Sequence, residues 1–224
     1  MTFSLVARCV KTGMFGIAIS SSSPAVAARC AYTRSSVGAV ASQNITDPRL
    51  GPFALDLIQG GMSAQEAIAG VKDQAPFLEY RQVLAIDKVG NTAIHSGPNS
   101  LGIWAEAHGK DVLSAGNLLA NDRVPQAIVK EFEAATGHIG DRLIAAMQAG
   151  LAEGGEAGPL HSAGMQICDD VQWPSADLRC DWTEGCPIKA ISAAWDVYKP
   201  QMADYVKRAL DPRAAPSYGV PGDE

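Results

Sequence analysis

The chain has 224 residues, 47% hydrophobic and 19% charged, with a net charge of −6. That length and balance suffice for a substantial buried core and exclude wholesale disorder, while 18 scattered Lys and Arg against 24 Asp and Glu exclude a nucleic-acid backbone as the main partner. No apolar run approaches the roughly 20 residues of a membrane helix, and MTFSLVARCV lacks the basic-then-apolar pattern of a secretory signal, so a cytoplasmic location without membrane partners is expected.

The first third reads as sheet. Thr2 to Val10 alternates and stops at Lys11-Thr12-Gly13, and Met14 to Ser20 resumes as a second strand, so the chain begins inside a hairpin. After Pro24 comes a small-residue stretch, and GAVAS within residues 36–43 suits a buried strand. Helical pattern follows from Pro52 to Ile58. A second helix starts at Ser63 as a capping box with Glu66, carries Ala67, Ile68 and Val71 on one face, and ends at Pro76. Gln82–Asp87 and Asn91–His95 form a hairpin around Lys88-Val89-Gly90, and Val112–Ala115 is a further strand.

Two clearly periodic helices come next. One starts near Asp122, Val124 and Pro125 with Ile128, Val129, Phe132 and Ala135 on one face; the other runs from Ile139 to Glu153 with Leu143, Ala146, Met147 and Leu151 inward. A hairpin of 165–171 and 176–182 is expected to turn at Trp173-Pro174-Ser175. Helices over 187–198 and 201–210 close the fold, and residues 211–224 read as an irregular tail. Clustered hairpins separated by helix pairs predict an α+β fold of antiparallel sheets covered by helices, in a single domain spanning 1–224.

Chemistry-bearing patterns are few. Cys9, Cys30, Cys168, Cys180 and Cys186 are odd in number with no zinc spacing, so reduced thiols and no metal or cofactor are expected. Gly60-Gly61 and Gly154-Gly155 close helices and make no phosphate loop. Trp104, Trp173, Trp182 and Trp195 read as core or interface aromatics, and a homo-oligomer is the expected assembly. Thr2 stands out because aminopeptidase removal of Met1 leaves it with a free α-amine of pKa about 8, a base beside its own hydroxyl.

The segments MTFSLVAR, TG, GIAISSSSPAVAARC, VGAVASQNITDPRLGP, YRQVLAIDKVGNTAIHSG, AGNLLAN, HSAGMQI and APSYGVPGD together resemble a bacterial family of unknown function within the N-terminal-nucleophile (Ntn) hydrolase superfamily. The resemblance spans nearly the whole chain and implies a four-layer αββα sandwich with Thr2 as nucleophile. The best-known threonine hydrolases add an acid and a lysine to orient the terminal amine. Here the corresponding region offers Ser20 to Ser23, Arg29 and Arg34, so hydroxyls such as Ser21 are the candidate partners.

An oxyanion needs preorganised donors, for which Asn44 and Asn117, each at a strand end, are the candidates, with Gln43 a third. Arg81 and Gln82 are candidates to hold a substrate carboxylate, and His161 to act as a base. Two functions stay open: an amidohydrolase cleaving a C–N bond of a small or peptide-like substrate, and a catalytically silent ligand-binding or assembly module of the same fold. A third, cyclohydrolase-like reading would not require the terminal amine.

Overall fold

The computed structural model describes residues 2–217; the fate expected for Met1 and the tail beyond residue 217 lie outside the described residues. In chain order the elements are β1 (Thr2–Arg8), β2 (Phe15–Ser21), α1 (Ala27–Cys30), β3 (Ala31–Arg34), β4 (Gly38–Asn44), α2 (Leu50–Gln59), α3 (Ala64–Gln74), β5 (Arg81–Asp87), β6 (Thr92–Ser96), β7 (Ala105–Gly109), β8 (Val112–Asn117), α4 (Val124–Ala134), α5 (Ile139–Ala152), β9 (Ser162–Cys168), β10 (Pro174–Cys180), α6 (Pro187–Tyr198) and α7 (Met202–Leu210). The fold is mixed α+β with two antiparallel sheets: a six-stranded one ordered β10-β9-β2-β1-β8-β7 and a four-stranded one ordered β3-β4-β5-β6. The first strand is therefore central, paired with β2 on one side and β8 on the other.

Strand alternation divides the core into three bodies. Odd residues of β1 (Phe3, Leu5, Ala7) pack with Ile128, Phe132, Leu143, Met147 and Trp195 of the helices covering the larger sheet. Val6 faces the other way and joins Ile17, Ile19, Ala39, Ala41, Leu84, Ile86, Leu113 and Ala115 between the two sheets. Val40, Val83 and Ala85 meet Ala54, Leu55, Ile68 and Val71 of α2 and α3 on the far face of the smaller sheet. Each sheet thus buries both faces, which is why so many strand residues are apolar without interruption. By the same parity, Thr2, Ser4, Ser21, Gln43, Gln82 and Asn117 fall on the inter-sheet side.

The Ser63–Glu66 capping box opens α3 as expected. Several expectations need correction. Two strands escaped the sequence reading, β3 and β7. Both are edge strands: β3 has four residues, and in β7 only Ala107 is buried, so neither carries a strong apolar period. Pro174 opens β10 instead of sitting in the preceding turn, which an edge strand tolerates because its missing N–H breaks no ladder. The first strand stops at Arg8, because Cys9 and Gly13 close a turn that leaves Val10 exposed. Only Trp195 is a core tryptophan; Trp104, Trp173 and Trp182 are exposed. The part of the tail within the described residues contains a 3-10 turn at Pro212–Ala214. All five cysteines are free, and no helix among the described residues is long and apolar enough to cross a membrane.

Candidate active site at the start of the first strand

At one end of the inter-sheet space the apolar filling gives way to polar side chains. Thr2, at the first position of β1, is 6% exposed. Its register partner on β8 is Asn117, while on β2 the pairing Phe3↔Ser20 sets Ser21 beside it. Ser21 is paired in turn with Ser162 of β9. Ser162, Ser21, Thr2 and Asn117 therefore form a row across four adjacent strands. The Thr2 hydroxyl donates to Ser21 Oγ at 3.4 Å, a long contact for two hydroxyls. Ser21 Oγ also accepts the Ser23 N–H at 3.0 Å. The Ser162 hydroxyl donates to the Ser23 carbonyl at 2.5 Å, tying the serine run to β9.

Behind this row lies a buried amide network whose direction can be read from its fixed ends. The Gln43 Nε2 donates to the Ala115 carbonyl at 3.1 Å and to Gln82 Oε1 at 3.2 Å. The Gln82 Nε2 donates to the Gly116 carbonyl at 3.2 Å and to Ser96 Oγ at 3.0 Å. Backbone carbonyls only accept, so both glutamine amides are locked in orientation. Gln82 Oε1 must then accept, and it takes the Asn117 Nδ2–H at 2.9 Å. Ser4 completes the network by donating to Gln43 Oε1 at 2.6 Å. The consequence falls on Asn117, which is 1% exposed: its Oδ1 is left buried and without a partner among the described residues.

That result reverses the polarity expected of Asn117. An oxyanion requires a donor, whereas the unbonded oxygen of this amide is an acceptor. Gln43 is fully buried, and the same chain of bonds occupies its amide. Asn44 takes a different path. At φ 73° it leaves the strand geometry, donates Nδ2 to the Tyr80 carbonyl at 2.6 Å and accepts the Leu101 N–H at 3.2 Å. It laces two loops and does not join Thr2. Arg81 is its register partner, and the guanidinium Nη1 donates to the Ile45 carbonyl, closing the same loop. His161 lies next to the row: its N–H donates to the Ser21 carbonyl at 3.0 Å, Nδ1 is 2.9 Å from the Thr183 carbonyl, and the ring stacks on Trp182 at 4.2 Å.

One residue that sequence reasoning missed belongs here. Glu156 follows Gly154-Gly155 and reads as a loop acid after a helix stop. In the structure it is 6% exposed, bridges to Leu119 just beyond β8, and accepts the Ser22 N–H through Oε2 at 3.1 Å. Its Oε1 is buried without a hydrogen-bond partner among the described residues. Burial pushes the carboxyl up to about 7, although the charge of the amino terminus and then the Ser22 hydrogen bonds pull it back. Only the pairing with Leu119, 37 positions away, brings it in, and no local pattern records that. Among the described residues no group of three or more His, Cys, Asp or Glu is placed to hold a metal ion.

A family model described as "Family of unknown function (DUF1028)" matches residues 2–191. A crystal structure of a protein from Silicibacter pomeroyi, with the same family model in its description, is 27% identical, covers 92% of this chain and 94% of its own, and superposes with a TM-score of 0.85. Anbu (ancestral beta-subunit) from Yersinia bercovieri covers 92% of this chain and 97% of its own at 10% identity and a TM-score of 0.40, a likeness too weak to carry any argument here. No curated protein matches the chain.

Proposed function

The chain belongs to the DUF1028 family of unknown function, and from its site geometry we propose that it is an amidohydrolase of the N-terminal-nucleophile type, with Thr2 as the attacking residue. The observation that carries this reading is the row Ser21, Thr2 and Asn117 at the polar end of the inter-sheet space, beyond its apolar cluster. The two facing sheets with helices outside are compatible with a four-layer Ntn sandwich, in which the nucleophile begins a central strand.

In the proposed reaction, Thr2 becomes the amino terminus when whatever precedes it is removed. Its neutral α-amine takes the hydroxyl proton as Oγ1 bonds to the carbonyl carbon of a C–N substrate. The resulting ammonium returns that proton to the leaving nitrogen as the C–N bond breaks. Water, activated by the same amine, then releases the acyl group and restores the hydroxyl. A small molecule or short peptide-like substrate suits a site confined to one end of a sandwich.

The second reading, a ligand-binding module without turnover, draws on two acceptors with no bond among the described residues, Asn117 Oδ1 and Glu156 Oε1, which favour a donor-rich ligand whether or not it is cleaved. The test is acylation of protein beginning at Thr2 by an alkyl β-lactone, mapped by mass spectrometry. A stoichiometric adduct on Thr2, absent in Thr2→Ala, supports the hydrolase; an intact, folded protein that never acylates leaves only the module.

A further inference from the structure

Glu156 and Asn117 each present a buried oxygen with no partner among the described residues. In both cases the oxygen is an acceptor, a polarity fixed for Asn117 by the carbonyl-anchored glutamines and for Glu156 by the carboxylate itself in its charged form. An unmet acceptor in a dry site is costly, of the order of 1–3 kcal/mol each in mutational series. Two of them at one place call for a donor group with several N–H bonds.

The topology shows where that donor must sit. The main chain of Glu156 pairs with Leu119, past the end of β8, while its carboxylate reaches the Ser22 N–H, past the end of β2. Between β8 and β2 lies β1, and neighbouring strands are about 4.8 Å apart. The Glu156 side chain therefore crosses in front of the first residue of β1. Asn117 approaches the same residue from its register position on β8. The first main-chain nitrogen of β1 is that of Thr2. Inside a peptide bond it offers one N–H; as a free α-ammonium it offers three.

We propose that Glu156, assisted by Asn117 Oδ1, is the positioning acid for the α-amino group of Thr2, so that the site's polar complement is complete only when Thr2 is the amino terminus. This rests on the reading of Thr2 as a processed nucleophile. Glu156 makes and breaks no covalent bond. It favours the ammonium that forms when the amine takes the Oγ1 proton, and it fixes the amine beside the hydroxyl.

The experiment uses the chain beginning at Thr2, released from a cleavable fusion and checked by intact mass. The α-amine is titrated by the pH dependence of its reaction with an isotopic acetylating reagent, read at the Thr2 peptide. Glu156→Gln is expected to lower the amine pKa by about one pH unit, since the ammonium loses a charged partner. Glu156→Asp moves it in the same direction by less, and serves as the comparison should the glutamine variant not fold. Acylation of Thr2 by the alkyl β-lactone is expected to slow roughly tenfold in Glu156→Gln, because the amine that takes the hydroxyl proton is about one pH unit less basic and no longer held in place. An amine pKa unmoved by either substitution overturns the proposal, whatever the lactone rate. A pKa that moves in a protein whose Thr2 never acylates upholds the pairing and sinks the nucleophile reading instead.

Discussion

Thr2 and Asn117 are direct partners across the β1–β8 ladder, and both lie on the inter-sheet side of the larger sheet. Asn117 joins Thr2 to the glutamine network, because its Nδ2 donates to Gln82 Oε1 at 2.9 Å. Asn117→Ala removes that donor and leaves Gln82 Oε1 with Gln43 alone. The expected cost is about 1–2 kcal/mol in urea unfolding, the usual range for a neutral buried hydrogen bond. Asn117→Asp is worse above neutral pH than below it, because a second carboxylate then faces Glu156. A variant as stable as the parent at every pH removes Asn117 from the network.

The glutamines should behave as one unit. Gln43→Ala takes a partner from Ser4 Oγ and the Ala115 carbonyl at once and leaves Gln82 Oε1 with Asn117 alone. A loss of about 2–4 kcal/mol is expected. In a double-mutant cycle with Asn117→Ala, the combined loss should exceed the sum by roughly 1 kcal/mol, since either truncation alone leaves Gln82 Oε1 one donor and only the pair leaves it bare. Strict additivity would show that the two bonds are independent.

Most of the fold was legible because its helices are amphipathic and its central strands are uninterrupted apolar runs. The spans expected for 187–198 and 201–210 match α6 and α7 to within a residue. Thr2 was legible through its position in the chain and Asn117 through its strand end. What escaped is non-local. Asn44 and Asn117 look alike in sequence, yet a left-handed φ turns one into a loop lace while strand parity carries the other into the core. Glu156 sits in a glycine-rich turn that resembles any surface acid, and only a bridge to Leu119 buries it.

Asp87 supplies a test of the smaller sheet that does not touch the site. Its buried carboxylate accepts the N–H groups of Ala64, Val89 and Asn91 and the Asn91 side-chain amide. Burial works against the charge, but these donors together hold the pKa below the usual aspartate range. A depressed folded value means stability that is present above the unfolded pKa of about 3.9 and lost as the pH falls through the folded one. Asp87→Ala should cost about 2–3 kcal/mol at pH 7 and progressively less below pH 4. An equal loss at pH 7 and pH 3 would mean the donors do not recognise the charge.

Glu156 should show the opposite slope. Its folded pKa is raised from 4.5 to about 7, with burial the leading cause. A raised carboxyl contributes stability that is fully present below the unfolded value and drains away as the pH climbs through the folded one, because the unfolded chain ionises first. Glu156→Gln cannot ionise and escapes that drain. In protein that retains a residue before Thr2, the variant should gain on the parent by about 3 kcal/mol between pH 4 and pH 8, the full-shift limit of one titrating group. Urea unfolding at several pH values across that window measures the gap, and parallel curves for the two proteins would deny Glu156 its buried, ionisable character. The amino terminus already lowers this carboxyl against burial; in protein beginning at Thr2 the gap should shrink further, since the α-ammonium then stands on Thr2 itself and returns the pKa towards the unfolded value. The comparison of the two forms therefore reads, through stability alone, whether the acceptors at this end of the sandwich are built for a free amine.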